Sequence, residues 1–230
     1  MIYITGDTHR EFERIYNLCE KQKTTKEDIL IILGDVGINY YGGLKDRLLK
    51  EDLSKLPITI FSIHGNHENR PENIKTYKKK LFKQGIVYYE EEYPNLLFAK
   101  DGEIYNLDGK RCLVIGGAYS IDKDMRKLRN LGWWEDEQPS LKTKSKILKD
   151  LEKGIKVDIV LTHTCPTKYL PYEAFLQGFD QTKIDRTTED FLELVERKID
   201  YKKWFCGHYH IDKKIEKLEF MFKSIKELKE

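Results

Sequence analysis

The sequence predicts an α/β fold with much of its sheet parallel, on three observations. Short apolar, strand-like runs alternate with segments of helical character through most of the 230 residues. The run "ILIIL", residues 29 to 33, is apolar on both faces, as a central strand covered above and below must be. Several of these runs end in a glycine beside a polar cluster, and open α/β sheets bind ligands outside the carboxyl ends of their strands.

Taken in order, "MIYIT" reads as the first strand, followed by a helix around residues 11 to 22. "DILIIL" is the second, followed by a helix around 43 to 55, and "ITIFSI" the third. After it comes a basic stretch, read as helical and ending near "KKKLF". From Ile86 to Gly117 the pattern changes to "LLFA", "EIYNL" and "RCLVIGG", separated by "KDG" and "LDGK". Asp-Gly pairs favour tight turns, so this region is expected to form a second, largely antiparallel sheet. Pro139 and Gly154 bracket a helix with Leu141, Leu148 and Leu151 along one face. "VDIVLTH" and "KKWFCGH" are two further strands, with a helix near 187 to 198 between them. No repeat, low-complexity segment or linker divides the chain, so residues 1–230 are expected to form one domain.

The 41 basic and 39 acidic residues leave a net charge of +2, which implies no indiscriminate grip on nucleic acid or anionic membrane. The longest aliphatic run falls far short of the about 20 residues that a membrane-spanning helix needs, and no membrane partner is expected. The first residues lack a basic region, a long apolar core and a cleavage site, so a cytoplasmic location is expected. Cys19, Cys112, Cys165 and Cys206 show no paired spacing and are expected to be reduced, buried thiols.

Five apolar runs end in polar clusters: "IYITGDTH" at Asp7 and His9, "ILIILGD" at Asp35, "FSIHGNHE" at Asn66 and His67, "IVLTH" at His163, and "FCGHYH" at His208 and His210. If the runs are neighbouring strands, two carboxylates, an asparagine and five histidines meet in one crevice. Oxygen and imidazole donors without thiolate suit manganese, iron, zinc or nickel, with manganese favoured. This is more ligand capacity than one ion needs. One partition has Asp35 bridging two divalent ions, with Asp7, His9 and His210 completing one site and Asn66, His163 and His208 the other. Side chains at i and i+2 of an extended segment point the same way, so His208 and His210 could serve adjacent ions. Two metals can clamp an oxyanion and acidify a water between them, which suits hydrolysis of a phosphate ester.

The ordered set "GDTH", "GD", "GNHE", "TH" and "GHYH", from Gly6 to His210, resembles the calcineurin-like metallophosphoesterase family. The resemblance implies a two-sheet β-sandwich flanked by helices, a dinuclear centre with the partition above, and a metal-bridging hydroxide as nucleophile. It also implies that His67 is not a ligand but the catalytic imidazole, facing the substrate to stabilise charge or protonate the leaving oxygen. Two departures concern the branch. Ile38 stands where many members carry an acidic residue, and the arginine of the protein-phosphatase branch is missing after Asp35, leaving Arg10 and Arg70 as candidate substrate-binding substitutes.

Each feature has a plainer reading. A single histidine is more often a core or surface group than a ligand, and Asp7 and Asp35 beside glycine could be turn residues. The distribution of five of six histidines over strand ends argues against both. His64, before Gly65, could orient a ligand or simply pack. Residues 118–139 form a candidate substrate-facing lid, in which Tyr119, Arg126 and Trp133 could stack and hold a phosphorylated ligand; the alternative is a loop anchored by its tryptophans. The expected substrate is a phosphorylated small molecule, nucleotide, nucleic acid or phosphoprotein. Two rivals are a nuclease or cyclic-nucleotide phosphodiesterase, and a non-catalytic scaffold of the kind seen in the retromer subunit that resembles this family.

Overall fold

The computed structural model describes residues 1–229. Its strands are β1 (Ile2–Thr5), β2 (Ile29–Ile32), β3 (Thr59–Ser62), β4 (Lys78–Phe82), β5 (Gly85–Tyr89), β6 (Leu96–Ala99), β7 (Ile104–Leu107), β8 (Lys110–Ile115), β9 (Ile159–Thr162), β10 (Lys203–Cys206), β11 (Lys213–Ile215), β12 (Leu218–Phe220) and β13 (Ile225–Glu227). The helices are α1 (Glu13–Gln22), α2 (Gly43–Ser54), α3 (Lys123–Leu128), α4 (Leu141–Glu152) and α5 (Thr187–Lys198). One sheet runs β13-β1-β2-β3-β6-β5-β4 and the other β11-β12-β10-β9-β8-β7. Each has a parallel centre, β1-β2-β3-β6 and β12-β10-β9-β8, with antiparallel strands towards the edges.

Period-two alternation decides what each strand buries. In β2 and just beyond, Ile29, Ile31 and Leu33 face the space between the sheets, where they meet Phe61, Leu161 and Phe205. Leu30 and Ile32 point the other way and pack with Ile15 of α1 and Leu53 of α2. On the far side, Val160 and Trp204 meet Ile147 and Leu151 of α4 and Leu192 and Val195 of α5. The layers are therefore helix, sheet, sheet, helix, the sandwich the sequence predicted. Each fully buried aliphatic or aromatic side chain contributes roughly 1.5–3 kcal/mol.

Helices α1, α2, α4 and α5 fall where the sequence placed them. Ser140 caps α4, its side chain accepting from the Thr143 N–H at 3.1 Å. Three expectations are corrected. The basic stretch before "KKKLF" is not a helix: a short 3₁₀ turn, Pro71–Asn73, leads into edge strand β4. Its lysines keep the sheet edge charged, and Lys79 and Lys80 lie over the Tyr88 and Tyr89 rings of β5 at 5.4 and 4.3 Å. The strands from Ile86 to Gly117 do not form one sheet. β5 and β6 belong to the first sheet and β7 and β8 to the second, so "KDG" is a crossover between layers. "LDGK" is the tight hairpin expected, with Asp108 and Gly109 at φ 54° and 78°. Leu141 is 81% exposed, and the inward face of α4 is Lys144, Ile147 and Leu151.

Among the described residues no helix is long and apolar enough to cross a membrane. All four cysteines are free and buried.

Replacing Phe61 by alanine removes a side chain from the inter-sheet core and should cost about 3–5 kcal/mol in urea unfolding. Leu141→Ala should stay within about 0.5 kcal/mol; a larger loss there would mean that α4 buries a different face.

Candidate metal centre

The loops following β1, β2, β3, β9 and β10 meet at the end of the sandwich. The backbone is held there in an uncommon form: His9, Asp35, His208 and His210 have φ of 45°, 46°, 69° and 53°. Left-handed backbone at non-glycine residues costs roughly 1–2 kcal/mol each and persists where the surroundings enforce it, typically at functional sites. Hydrogen bonds across the loops do the enforcing, with His9 N–H donating to the Asp35 carbonyl at 2.8 Å and Gly207 N–H to the His163 carbonyl at 2.8 Å.

Asp7 is 1% exposed. Its Oδ1 accepts from the His208 N–H at 3.0 Å, while its Oδ2 has no hydrogen-bond partner and lies 3.3 Å from His210 Nε2 and 3.7 Å from His9 Nε2. The Nε2 atoms of His9 and His210 are 2.8 Å apart. Asp35 has two faces. Its Oδ2 is 3.8 Å from His9 Nε2, and its Oδ1 is 3.6 Å from His163 Nε2 and accepts the His67 N–H at 2.8 Å. His163 Nε2 is in turn 2.8 Å from Asn66 Oδ1. Ligands about 2.1 Å from a shared ion are roughly 3.0–3.4 Å apart, close to these separations. Asp7, His9 and His210 form one potential ion-holding group, and Asp7, Asp35 and His163 another.

The donors are pre-oriented. His163 Nδ1–H donates to the Leu33 carbonyl at 2.8 Å, which leaves the Nε2 lone pair facing the centre. Asn66 Nδ2 donates to Ser120 Oγ at 2.9 Å, and that hydroxyl donates to Glu137 Oε2 at 2.6 Å, so the amide oxygen turns inward. A Cβ at Gly207 would lie 2.2 Å from Asp7 Oδ1, and one at Gly65 would lie 2.0 Å from Asp35 Oδ1. Only glycine leaves the two carboxylates room.

Protonation suits a cation at Asp7, Asp35 and His208, whereas the neighbouring Asp7 carboxylate pushes the His210 imidazole up towards its charged form. Burial opposes charge on Asp7, yet His210 and His163 hold its carboxyl below the usual range. For Asp35, burial is likewise outweighed by His163, His67 and His9. Burial and the neighbouring His163 push His208 down to about 3, keeping its imidazole neutral. Anionic carboxylates and neutral imidazoles are the forms that ligate metal. With oxygen and nitrogen donors, an orphaned buried carboxylate oxygen and these spacings, the residues present fit a pair of divalent ions.

The sequence profile of the calcineurin-like phosphoesterases matches residues 1–212. The chain belongs to that family. Among solved structures, it is similar to the phosphopantetheinyl hydrolase of Mycobacterium tuberculosis, at 12% identity and a TM-score of 0.46, over 96% of this chain and 87% of that one. No curated protein matches the sequence.

Against the family pattern, the structure brings Asp7, His9, Asp35, Asn66, His163, His208 and His210 to one place. Contrary to the sequence expectation, the two histidines of "GHYH" do not point the same way from an extended segment. Both are left-handed, and their rings turn to different neighbours, His208 to His163 and His210 to His9, at centroid distances of 4.9 and 4.8 Å. His67 and His208 belong to neither of the potential ion-holding groups; both line the cavity beside them, and burial pushes the His67 ring towards the neutral form. His64 is buried with neither ring nitrogen hydrogen-bonded.

The residues considered for substrate binding divide. Tyr119 lines the cavity. Arg126 is held by Asp122 at 2.8 Å and Tyr40 at 3.1 Å, and the Trp133 ring lies under Lys123 and Lys127 at 4.8 and 3.8 Å. Arg10 bonds Asp46 at 2.7 Å and Arg70 bonds Asp101 at 2.8 Å, so both brace the scaffold. Residues 118–139 supply one wall of the cavity through Tyr119, Ile121 and Asp122. Another part of the wall comes from residues 170–189, which carry no motif. Sequence reasoning also missed Ser120, Glu137 and Glu68. The Glu68 carboxyl, pushed up to about 8 by burial and Asp35, accepts from the Gly65 and Gly37 N–H groups at 3.0 and 3.3 Å. Its position in "GNHE", one residue past His67, was the available signal.

Ser120→Ala frees the Asn66 amide to rotate. Calorimetric titration with manganese should show affinity reduced by about 10–100-fold at one of two ions. Unchanged affinity would mean that the Ser120–Glu137 pair does not orient a ligand.

Proposed function

We propose that this chain is a dinuclear metal-dependent phosphoesterase acting on a small phosphate ester. The observation that carries the reading is the pair of faces on Asp35, one oxygen towards His9 and the other towards His163, with a second buried carboxylate alongside. Asp7, His9 and His210 would hold one ion, Asn66, His163 and His208 the other, with Asp35 shared. When bound, two such ions supply a water acidified for attack and positive charge for the phosphoryl oxygens. Around them the chain's own groups act: the Asp35–His67 backbone bond fixes the catalytic imidazole at the cavity wall, and burial keeps that ring neutral until a phosphate's negative charge enters. There it can donate an N–H to a phosphoryl oxygen or to the leaving oxygen.

The cavity favours a small substrate over nucleic acid. It has a volume of about 400 Å³, and away from the centre its walls carry Asp122, Asp185 and Glu189 against Arg186 alone among arginines and lysines. Tracking a polyanionic backbone requires the opposite balance. A scaffold that has lost hydrolysis is disfavoured because every residue of the ligand set and His67 is retained. Manganese is the metal we favour.

Stripping the chain of metal and restoring manganese should restore hydrolysis of aryl phosphates, measured on a matched monoester and diester. A fully loaded chain inert towards both would sink the reading. His67→Ala should reduce turnover by about 10²–10⁴-fold while both ions still bind. Loss of an ion on that substitution would make His67 a ligand instead.

A further inference from the structure

The cavity beside the metal centre is lined by apolar side chains that the core does not absorb. Ile121 and Ile184 are half-buried, yet among the described residues neither joins the hydrophobic clusters of the core, and Leu176 is 62% exposed. Leu170, Phe175 and Ile211 line the same space and belong to, or pack on, the cluster that seats α4 and α5. Unlike a sealed core group, a half-buried or exposed side chain keeps surface that a bound molecule can cover. Contiguous apolar surface in a concavity is the usual lining of a small-molecule site.

The ionic groups of this lining are turned to protein partners. Asp122 Oδ2 accepts from Arg126 at 2.8 Å, Asp185 accepts from Gln138 at 2.9 Å and from the Thr187 N–H at 2.8 Å, and Glu189 Oε1 accepts from the Thr164 hydroxyl at 2.7 Å. The second oxygens of Asp122 and Glu189 are shielded from any ligand by burial. Arg186 donates to Gln181 at 3.2 Å and lies over the Phe175 ring at 5.5 Å. The same cavity is lined by Asn66, His67 and His208. With His67 placed to donate to the leaving oxygen, a molecule whose phosphate reaches the centre extends its leaving group into this chamber.

We propose that this chamber is a leaving-group subsite for an apolar body, with Ile121, Leu176 and Ile184 as specificity determinants. The substrate is then a phosphate ester of a hydrophobic alcohol or phenol rather than of a sugar or other polyol. The inference rests on the phosphoesterase reading and adds the chemical class of its substrate. An apolar wall rewards each buried methylene and penalises a hydroxyl that finds no partner there.

The probes are 4-methyl-, 4-ethyl- and 4-propylphenyl phosphate, with 4-(2-hydroxyethyl)phenyl phosphate as the polar isostere of the propyl compound, each offered as monoester and as methyl diester. Their phenolic leaving groups are nearly equal in acidity, so differences report on the chamber and not on the bond broken. With the manganese-loaded chain, kcat/KM should rise about twofold to fourfold with each added methylene. The propyl ester should exceed the hydroxyethyl ester by about tenfold or more. In Ile184→Asn, and independently in Ile121→Asn, that ratio should fall by about threefold or more. A ratio taken within one variant does not depend on how much of it is folded or metal-loaded. Esters hydrolysed with a flat series, or ratios unchanged in both variants, would overturn the assignment and leave the phosphoesterase reading in place. If every ester is inert, calorimetry with the free phenols decides. Tighter binding of 4-propylphenol than of 4-(2-hydroxyethyl)phenol, weakened in Ile184→Asn, keeps the chamber while the phosphoesterase reading falls; equal binding removes both.

Discussion

The structure depends on two carboxylates buried side by side. Asp7 and Asp35 sit at the ends of neighbouring strands, shielded from water, with oxygens within 4.8 Å of each other and of a His163 ring nitrogen. Two negative charges at that separation repel by roughly 3–4 kcal/mol at the effective dielectric of a protein. The imidazoles around them, His210 and His163 at Asp7 and His163, His67 and His9 at Asp35, offset part of that repulsion, while burial drives His208 and His67 towards neutrality. A chain that folds into this arrangement has an electrostatic demand for cations at one point. Much of the surrounding backbone is shaped to keep that demand in place.

The sandwich serves this end geometrically. One sheet delivers Asp7, His9, Asp35, Asn66 and His67, and the other delivers His163, His208 and His210, so neither sheet holds the site alone. The inter-sheet core, from Ile31 and Phe61 to Leu161 and Phe205, fixes the distance between the two sets. Left-handed residues and close-packed glycines then aim side chains that regular strands would have pointed elsewhere. Local strain at the loops is sustained by packing behind them. Buried hydrogen bonds to His163 and Asn66 complete the orientation at atoms that never touch a substrate.

Legibility in the sequence followed the range of the interactions involved. Period-two apolar runs such as "ILIIL" and helices with clear bounds, such as α5, are local signals and read directly. The polar tips of those strands were legible for the same reason, because strand ends and site residues coincide. Partition between sheets was not: nothing within "LLFAKDGEIYNL" says that Ala99 and Ile104 lie in different layers, since that is decided by distant partners. The lysines of β4 misled because a charged edge strand and a solvated helix face have the same composition. The wall from Leu170 to Glu189 carried no motif, as its role arises only when the 3₁₀ turns between β9 and α5 fold it over the centre.

The account stands or falls on Asp35 being shared between two ions. Metal content and manganese titration of the native chain and of Asp35→Asn, a nearly isosteric change, test this directly. The account predicts two ions per native chain and weakened binding at both positions in the variant. A single ion in the native chain, or a variant that empties one position and keeps the other at native affinity, would contradict it.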